Sequence, residues 1–229
     1  MAYRKIINGQ LALGYGSKYQ LLRMLGWHRD DFNKKVMKAL SMDGTIHWFD
    51  FHYDEECDKE LLNVEFLPQI DTEWKEHWAC GSGGINWDAV GITDDGTYIL
   101  VEAKAHLTEM KNSASGSPAS IDKNKKRIAE VINHYGIKTT PEAWMQDNYQ
   151  LANRIVITHF LQSKGLKVKL IYVLFENGYH FNRDNSESVS EKEWNNEMNR
   201  ELEEMRIKNT EAESLVNWCI INCAPPKIK

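Results

Sequence analysis

Two short apolar runs joined by a glycine-containing turn constrain the fold of this chain more than any other segment. The runs, residues 86–93 and 97–105, are rich in β-branched, aromatic and small residues, and Asp94-Asp95-Gly96 separates them. Runs of this length and composition are typical of strands, and an Asp-Gly pair between two of them is a turn signal. The sequence therefore predicts a β-hairpin at the centre of the fold.

The length of the hairpin loop decides which side chains share a face of the sheet. A loop of residues 94–96 is favoured, because Gly96 can adopt the left-handed conformation that commonly ends a three-residue loop. This loop pairs Asp88 with Glu102. The two-residue period of a strand then places Lys104 on the same face as Glu102. We expect the three charged side chains to converge there.

Two carboxylates brought together in an apolar sheet need a partner, because each is costly to bury and they repel each other. A hard divalent ion such as Mg²⁺ or Mn²⁺ takes oxygen ligands and keeps several waters. Asp88, Glu102 and the carbonyl of Ala103 are the expected ligands. Lys104 would steady a water molecule or the charge on a phosphate. The ordinary alternative is that Asp88 caps the hairpin and Glu102 pairs with Lys104 or another chain.

These residues also carry a family resemblance. Asp88, a hairpin turn and then Glu102-Ala103-Lys104 resemble the PD-(D/E)XK signature of restriction-endonuclease-like nucleases. Trp87 stands where that signature has proline. The resemblance implies that the two acidic residues bind metal and that the lysine assists hydrolysis of a phosphodiester bond.

The resemblance covers about residues 71–177 and implies further site residues on two helices. The helix before the hairpin often supplies another acid to the metal in this family, so Glu73 is a candidate and Glu76 its rival. A Gln or basic residue often stands on the helix after the second strand, and Gln150 resembles that position, with Arg154 four residues on. An exposed helix charge is the alternative for both acids.

A basic helix between these two segments offers candidate contacts to backbone phosphates, with a solvated face as the ordinary alternative. The candidates are Lys123, Lys126 and Arg127. The net charge of −5 is unfavourable for a nucleic-acid enzyme, since phosphate binding normally uses a basic face. The acidic excess, however, lies in residues 50–76 and 184–213. This distribution permits a nucleic acid substrate without demanding one. The family resemblance implies a nucleic acid partner, DNA before RNA, and a homodimer is left open.

Composition indicates a folded domain. The chain has 229 residues, of which 42% are hydrophobic, and eight are tryptophans. No apolar run approaches the roughly 20 residues that span a membrane, so we expect a soluble, cytoplasmic protein. The four cysteines lack CxxC spacing and are expected to be reduced core thiols. A zinc site of Cys57, Cys80 and His77 is the alternative.

The expected fold class is α/β, a restriction-endonuclease-like core with a mixed central sheet flanked by helices and an N-terminal helical extension. We expect one domain, 1–229: the extension lies within about 1–66, the core within about 71–177, and a C-terminal helix and strand within about 185–229. Predicted helices span 17–25, 30–40, 71–80, 119–135, 141–164 and 191–208, and further strands span 168–176 and 215–223. The acidic helix 191–208 is expected to lie away from the substrate.

Three functions stay open at this point. The first is a divalent-metal-dependent nuclease, which the resemblance implies. The second is a catalytically silent module on the same fold that binds nucleic acid or protein, which the acidic balance favours. The third is a metal-dependent hydrolase of a smaller phosphate compound.

Overall fold

A five-stranded mixed sheet forms the middle layer of the fold. The computed structural model describes residues 2–4, 6–7, 10–11, 16–49, 57–59, 61–79, 84–178 and 188–223, with side chains from residue 16 onward except 57–59. The strands are β1 (Ile46–Trp48), β2 (Ala89–Thr93), β3 (Tyr98–Lys104), β4 (Val168–Glu176) and β5 (Val216–Asn222). Their order across the sheet is β5-β4-β3-β2-β1.

One strand of this sheet, β2, runs in the direction opposite to the other four. β3, β4 and β5 are parallel, whereas β2 is antiparallel to both of its neighbours, β3 and β1. β3 and β4 are central and covered on both faces, which explains why their sequences are almost continuously apolar. A charged side chain on either strand is therefore an exception that calls for a physical reason.

Helices cover both faces of the sheet. They are α1 (Gly16–Trp27), α2 (Arg29–Ala39), α3 (Pro68–His77), α4 (Pro118–His134), α5 (Pro141–Trp144), α6 (Tyr149–Ser163) and α7 (Glu191–Glu204). Two 3₁₀ turns, Leu107–Glu109 and Glu211–Leu215, complete the helical segments of the described ranges. Short strand pairs join Ala2–Arg4 to Cys57–Lys59, Ile6–Ile7 to Gln10–Leu11, and Leu61–Leu62 to Asn86–Trp87.

The alternation of β3 separates two hydrophobic cores. Ile99 and Val101 belong to the core beneath α1 and α2, whereas Leu100 belongs to the core beneath α3, α4, α6 and α7. The two N-terminal helices therefore cover one face of the sheet. The sequence analysis predicted instead that they form an N-terminal extension outside the core. The α/β class, the mixed sheet and the flanking helices are confirmed.

The central hairpin has the predicted register. The N–H of Thr93 donates to the carbonyl of Thr97 at 2.9 Å, and Ala89 pairs with Val101. Gly96 ends the loop with a φ of 82°. The three-residue loop predicted over 94–96 is confirmed, and so is the left-handed glycine on which the prediction depended.

One predicted helix is wrong in its extent. The segment expected as a single helix over 141–164 is two helices, α5 and α6, separated by residues 145–148. Those residues bond to a neighbouring loop: the N–H groups of Asn112 and Ala114 donate to the carbonyls of Asp147 and Met145, each at 2.9 Å. This tertiary pairing interrupts a segment that local sequence alone would leave helical.

The other helices and the last strand lie close to their predicted positions. α3 begins at Pro68, earlier than expected, and α7 begins with the predicted capping box of Ser190 and Glu193. Cys80, at the predicted end of the α3 segment, lies outside the described residues. None of the helices within the described ranges combines the length and the apolar character that crossing a bilayer requires.

The described cysteine side chains are core thiols. Cys219 and Cys223 are buried and free, and burial raises the pKa of the Cys219 thiol to about 12 and that of Cys223 to about 11. The alternative zinc site falls on Cys57 and Cys80, whose side chains lie outside the described residues.

Gly91 provides a test of the β1–β2 packing. A Cβ atom at this position would lie 2.6 Å from Cγ2 of Ile46 and 3.0 Å from Cε3 of Trp48. We expect Gly91→Ala to lower the free energy of unfolding by about 2 kcal/mol, since a well-packed core absorbs an added methyl group poorly. Denaturant unfolding measures this loss. In the control, Gly96→Asn, the added Cβ atom would meet nothing within 4 Å, and Asn tolerates a positive φ.

Candidate active site

Glu102 is an ionised carboxylate buried in the middle of the sheet. It is 3% exposed, and it stands on the face of β3 that α6 and α7 cover. Its Oε1 pairs with Nζ of Lys104 at 2.7 Å, and its Oε2 accepts hydrogen bonds from Nε and Nη2 of Arg154 at 2.9 and 2.7 Å. Burial opposes ionisation, but the charges and hydrogen bonds of Arg154 and Lys104 outweigh it and lower the pKa of Glu102. Both oxygens of this carboxylate are engaged by cations.

Arg154 ties helix α6 to the hairpin. Besides Glu102, its Nη2 donates to the carbonyl of Asn86 at 2.7 Å, and its guanidinium lies 4.7 Å from the ring centroid of Trp87. Its Nη1 donates to Oδ1 of Asn153 at 2.8 Å. Helical spacing placed this arginine on the face of Gln150, but no local signal revealed that it pairs with Glu102, because that contact spans 52 residues.

Asp88 lies at a bulge where β2 begins. Its N–H donates to the carbonyl of Val101 at 3.1 Å, although Val101 pairs with Ala89, so two residues of the first strand oppose one residue of β3. Oδ2 of Asp88 accepts a hydrogen bond from the N–H of Ala103 at 2.7 Å. The side chain is half-buried. The bulge aims this carboxylate at the backbone of the strand that carries the other two charges.

The negative charges of two carboxylates, Glu102 and Asp88, both act on the ammonium group of Lys104. Burial disfavours its ammonium group, but the negative charges of Glu102 first and Asp88 second raise the pKa of Lys104, with a smaller contribution from Glu109. The hairpin thus pairs Glu102 with Lys104 and brings the charge of Asp88 close enough to act on Lys104; convergence of all three side chains on one face stays a prediction. The pairing of Glu102 with Lys104 is also the ordinary structural role considered for it from the sequence.

Glu201, on α7, is a buried acid that the sequence analysis missed. It is 1% exposed, and neither of its carboxyl oxygens has a hydrogen-bond partner among the described residues. Burial raises the pKa of Glu201 to about 8 and the charge of Glu197 adds to the rise, against the opposing effects of Arg200 and Lys104. At neutral pH this carboxyl group holds a proton beside Lys104. Helix α7 therefore does not lie away from the site.

The spacing of α7 contained a signal for this acid. Trp194, Met198, Leu202 and Met205 are buried at helical intervals, and Glu201 stands on the same stripe. An acidic side chain on the apolar stripe of a helix becomes buried when the helix packs. The free-energy cost of burying this acid calls for a functional explanation. The helix contains many acidic residues, and such a segment is typical of a solvated surface. Glu201 was therefore not recognised as a buried position.

Tyr172 is a buried tyrosine on which the charges of both buried acids act. It is the β4 residue opposite Glu102 in the parallel ladder, and its hydroxyl has no hydrogen-bond partner among the described residues. Burial raises the pKa of Tyr172 well above its ordinary value, and the charges of Glu102 and Glu201 raise it further. Nearly all buried polar groups in native proteins are hydrogen-bonded. The hydroxyl of Tyr172 and the carboxyl of Glu201 thus have hydrogen-bonding capacity that no described residue uses.

Glu73 is not brought to this site. It forms an ion pair with Lys164, at the C-terminal end of α6. Lys164 lies ten residues after Arg154, about 15 Å along the helix axis. Its rival Glu76 is exposed on the same helix, α3. Gln150 lies one helical turn before Arg154 on α6 and is partly buried; its part in a site stays a prediction.

The basic residues of α4 mainly fasten that helix to α3. Nζ of Lys123 donates to the carbonyl of Lys75, and Nε of Arg127 donates to the carbonyl of His77, each at 3.0 Å. Lys126 is exposed. Arg127 also donates from Nη1 to both carboxylate oxygens of Glu130 within α4, at 2.6 and 2.9 Å. Phosphate binding by these residues stays a prediction.

The acidic pair has the donor chemistry of a magnesium site, but its geometry is that of an ion-paired cluster. Asp88 and Glu102 supply the hard oxygen atoms that Mg²⁺ or Mn²⁺ prefers. In the described part of the chain, no three His, Cys, Asp or Glu side chains are already arranged to hold a metal. Both oxygens of Glu102 already bind cationic side chains, so a metal ion would compete with Lys104 and Arg154 for this carboxylate.

Comparison of the chain with protein-family models, curated proteins and solved structures gives no match. The function is therefore inferred from the geometry of the site and the chemistry of its residues.

The buried acid predicts a pH dependence of stability. The pKa of Glu201 is about 8 in the folded chain against an unfolded value of 4.5, so the folded state binds more protons between these values. The contribution of Glu201 to the free energy of unfolding is fully present below pH 4.5. It is lost as the pH rises from 4.5 through 8. Relative to the wild type, Glu201→Gln should gain stability by about 1.4 kcal/mol for each pH unit between about 5 and 7.

Denaturant unfolding at pH 5, 6, 7 and 8 measures this difference. Glu204→Gln is the matched control, since Glu204 lies on the same helix and the side-chain hydrogen bond from Arg200 lowers its pKa. Parallel pH profiles for the wild type and Glu201→Gln would mean that the carboxyl of Glu201 is solvated in solution.

Proposed function

We propose that the chain is a divalent-metal-dependent hydrolase of phosphodiester bonds in nucleic acid, with DNA as the first substrate to test. The observation that carries the proposal is the buried ammonium of Lys104, which pairs with Glu102 at 2.7 Å and whose pKa the charge of Asp88 also raises. Burying charged groups in a sheet costs free energy, and such clusters concentrate at functional sites. The Asp88, Glu102 and Lys104 pattern adds its resemblance to PD-(D/E)XK nucleases.

In this proposal each charged residue has a separate task. Asp88 and Glu102 would hold Mg²⁺ or Mn²⁺, with the carbonyl of Ala103 as a further donor. A bound divalent cation supplies a polarised phosphate oxygen and a water molecule of lowered pKa. Lys104 keeps its proton and donates to a phosphate oxygen or to the attacking water, which stabilises negative charge as it develops. Arg154 binds the Glu102 oxygen that Lys104 does not and holds the orientation of the carboxylate.

The protonation states of these groups restrict the role of Lys104. A lysine whose pKa is raised by neighbouring carboxylates is a poor general base, so it acts as a hydrogen-bond donor and as a positive charge. The proton of the attacking water must then leave through solvent. This assignment predicts that an uncharged side chain at position 104 removes catalysis, even where its volume matches that of lysine.

A second candidate function is a binding module without turnover. The observation that favours it is the engagement of both Glu102 oxygens by Lys104 and Arg154, which satisfies the carboxylate without a metal ion. In that case the cluster is a structural core of the fold, and nucleic acid or protein would bind elsewhere. Mn²⁺ binding and cleavage assays separate the two functions.

Substitution of the aspartate and the lysine tests the proposed hydrolase. We expect Asp88→Asn and Lys104→Met each to lower Mg²⁺- or Mn²⁺-dependent cleavage by about 100-fold or more, because each removes a charge that acts in the transition state. The amide oxygen introduced by Asp88→Asn can still accept the hydrogen bond from Ala103, and Lys104→Met leaves Glu102 paired with Arg154. Cleavage of labelled single-stranded, double-stranded and branched DNA and of RNA provides the measurement.

Matched controls come from exposed positions that are not candidate site residues. Asp122→Asn on α4 and Lys192→Met on α7 make the same chemical changes and should leave cleavage unchanged. Wild-type cleavage that persists in EDTA, or full activity in both site variants, would contradict the proposed hydrolase. Binding without cleavage of any of these substrates would favour the second candidate.

A further inference from the structure

We propose that the outer face of α1 and α2, the side of these two helices that points away from the sheet, binds single-stranded nucleic acid. Bases would stack on Trp27, and phosphates would contact the basic side chains around it. This surface lies across the sheet from Glu102, which pairs with Arg154 of α6. The inference therefore goes beyond the proposed function and holds whether or not the chain cleaves its ligand.

The two helices are basic in a chain that is otherwise acidic. Residues 16–39 contain six basic residues and two acidic ones, which gives a net charge of +4. The whole chain carries −5, so the other residues carry −9. A local reversal of sign attracts a polyanion and makes its binding dependent on salt. The basic residues are Lys18, Arg23, Arg29, Lys34, Lys35 and Lys38, and the acids are Asp30 and Asp31.

The lysines of α2 present this charge to solvent. Lys34 and Lys38 are one turn apart and exposed, whereas Phe32 of the same helix is buried against the sheet. Neither ammonium group has an ion-pair partner among the described residues. Of the two acids, Asp31 is already paired with Lys35 at 3.1 Å. The charge of the two exposed lysines is therefore available to the phosphates of a ligand.

An aromatic and cationic stripe runs along the outer side of α1. Tyr19, Arg23 and Trp27 follow one another at intervals of four residues, opposite the buried Leu21 and Leu25. The guanidinium of Arg23 lies 5.6 Å from the ring centroid of Tyr19. Trp27 is 66% exposed, the largest exposure among the large hydrophobic side chains of the described residues. An exposed ring beside cationic side chains is the arrangement on which the bases of a single strand stack.

A cavity beside Trp27 offers space for a base. Residues 26–31, at the corner between the two helices, line a volume of about 460 Å³. Arg29 is held in this corner, because its Nε donates to the carbonyl of Leu25 at 2.7 Å. Asp30 also lines the cavity. A carboxylate repels a phosphate but accepts a hydrogen bond from an exocyclic amino group, so the cavity fits a base better than a phosphate.

Two other partners suit the outer face less well. A helix that lies on a bilayer inserts an apolar face into it. The apolar faces of α1 and α2 are buried against the sheet, which leaves Trp27 as the one largely exposed hydrophobic side chain of these two helices. In duplex nucleic acid the bases are stacked on one another and are not available to an indole ring. Single-stranded DNA and RNA both offer free base faces together with phosphates.

Fluorescence anisotropy with the full chain tests the inference, and EDTA in the buffer prevents divalent-metal-dependent cleavage of the probes. The probes are fluorescein-labelled oligodeoxythymidine, oligouridine and a DNA duplex of the same length. We expect Trp27→Ala to weaken single-strand binding by about tenfold, because the stacking of one base is lost. Duplex binding should change much less. The matched control is Phe49→Ala, which removes an aromatic ring that is 36% exposed at the β1 edge of the sheet and should leave these affinities unchanged.

The dependence of binding on NaCl tests the basic residues separately. Each phosphate contact on a single strand contributes about 0.7 to the slope of the logarithm of affinity against the logarithm of salt concentration. We expect Lys34→Gln and Lys38→Gln together to lower this slope by about 1.4. Lys138→Gln and Lys192→Gln together remove the same charge from exposed positions elsewhere and should leave the slope unchanged.

Three results would overturn the inference: a wild-type chain that binds neither single strand, equal affinities of the wild type and Trp27→Ala, or a slope that both lysine pairs change alike. A fourth is binding to vesicles of phosphatidylserine and phosphatidylcholine that Trp27→Ala abolishes, which would identify a membrane surface instead. The proposed hydrolase is tested separately, since Asp88 and Lys104 are unchanged in all of these variants. Single-strand binding as expected, without cleavage once Mn²⁺ is added, would contradict the hydrolase and support the outer face as a binding surface.

Discussion

The arrangement of this fold depends on one buried carboxylate held between two cations. Glu102 sits in a central strand, and only the combined charges of Lys104 and Arg154 allow it to remain ionised there. The lysine comes from the same strand and the arginine from the helix that crosses to the next parallel strand. The ion cluster therefore links the hairpin to α6, and the removal of any one member would leave an uncompensated charge in the core.

The sequence predicted the local part of this arrangement well. The hairpin, its loop and its register follow from the alternation of apolar residues and from Gly96, and all are governed by interactions within about 20 residues. The same holds for the helix starts at Ser117 and Ser190, where a capping side chain acts on its own first turn. Such features need no knowledge of the tertiary fold.

Contacts that are distant in sequence could not be predicted in the same way. Arg154 is 52 residues from Glu102, and the break between α5 and α6 arises from bonds to residues 112–114. Glu73 was a candidate by analogy, but its partner is Lys164. Glu201 lay in a segment whose high charge density suggested a solvated surface. In each case tertiary packing decided the outcome over local pattern.

The bulge at Asp88 restricts how the length of this hairpin can change. Side chains alternate strictly from Ala89 onward, so an insertion or deletion of a single residue within β2 or β3 would exchange their two faces. The charged residues would then point into the apolar core beneath α1 and α2, where they would find no partner among the aliphatic side chains that fill it. Variation in length is therefore tolerable only at the tip, 94–96, beyond the last paired residues.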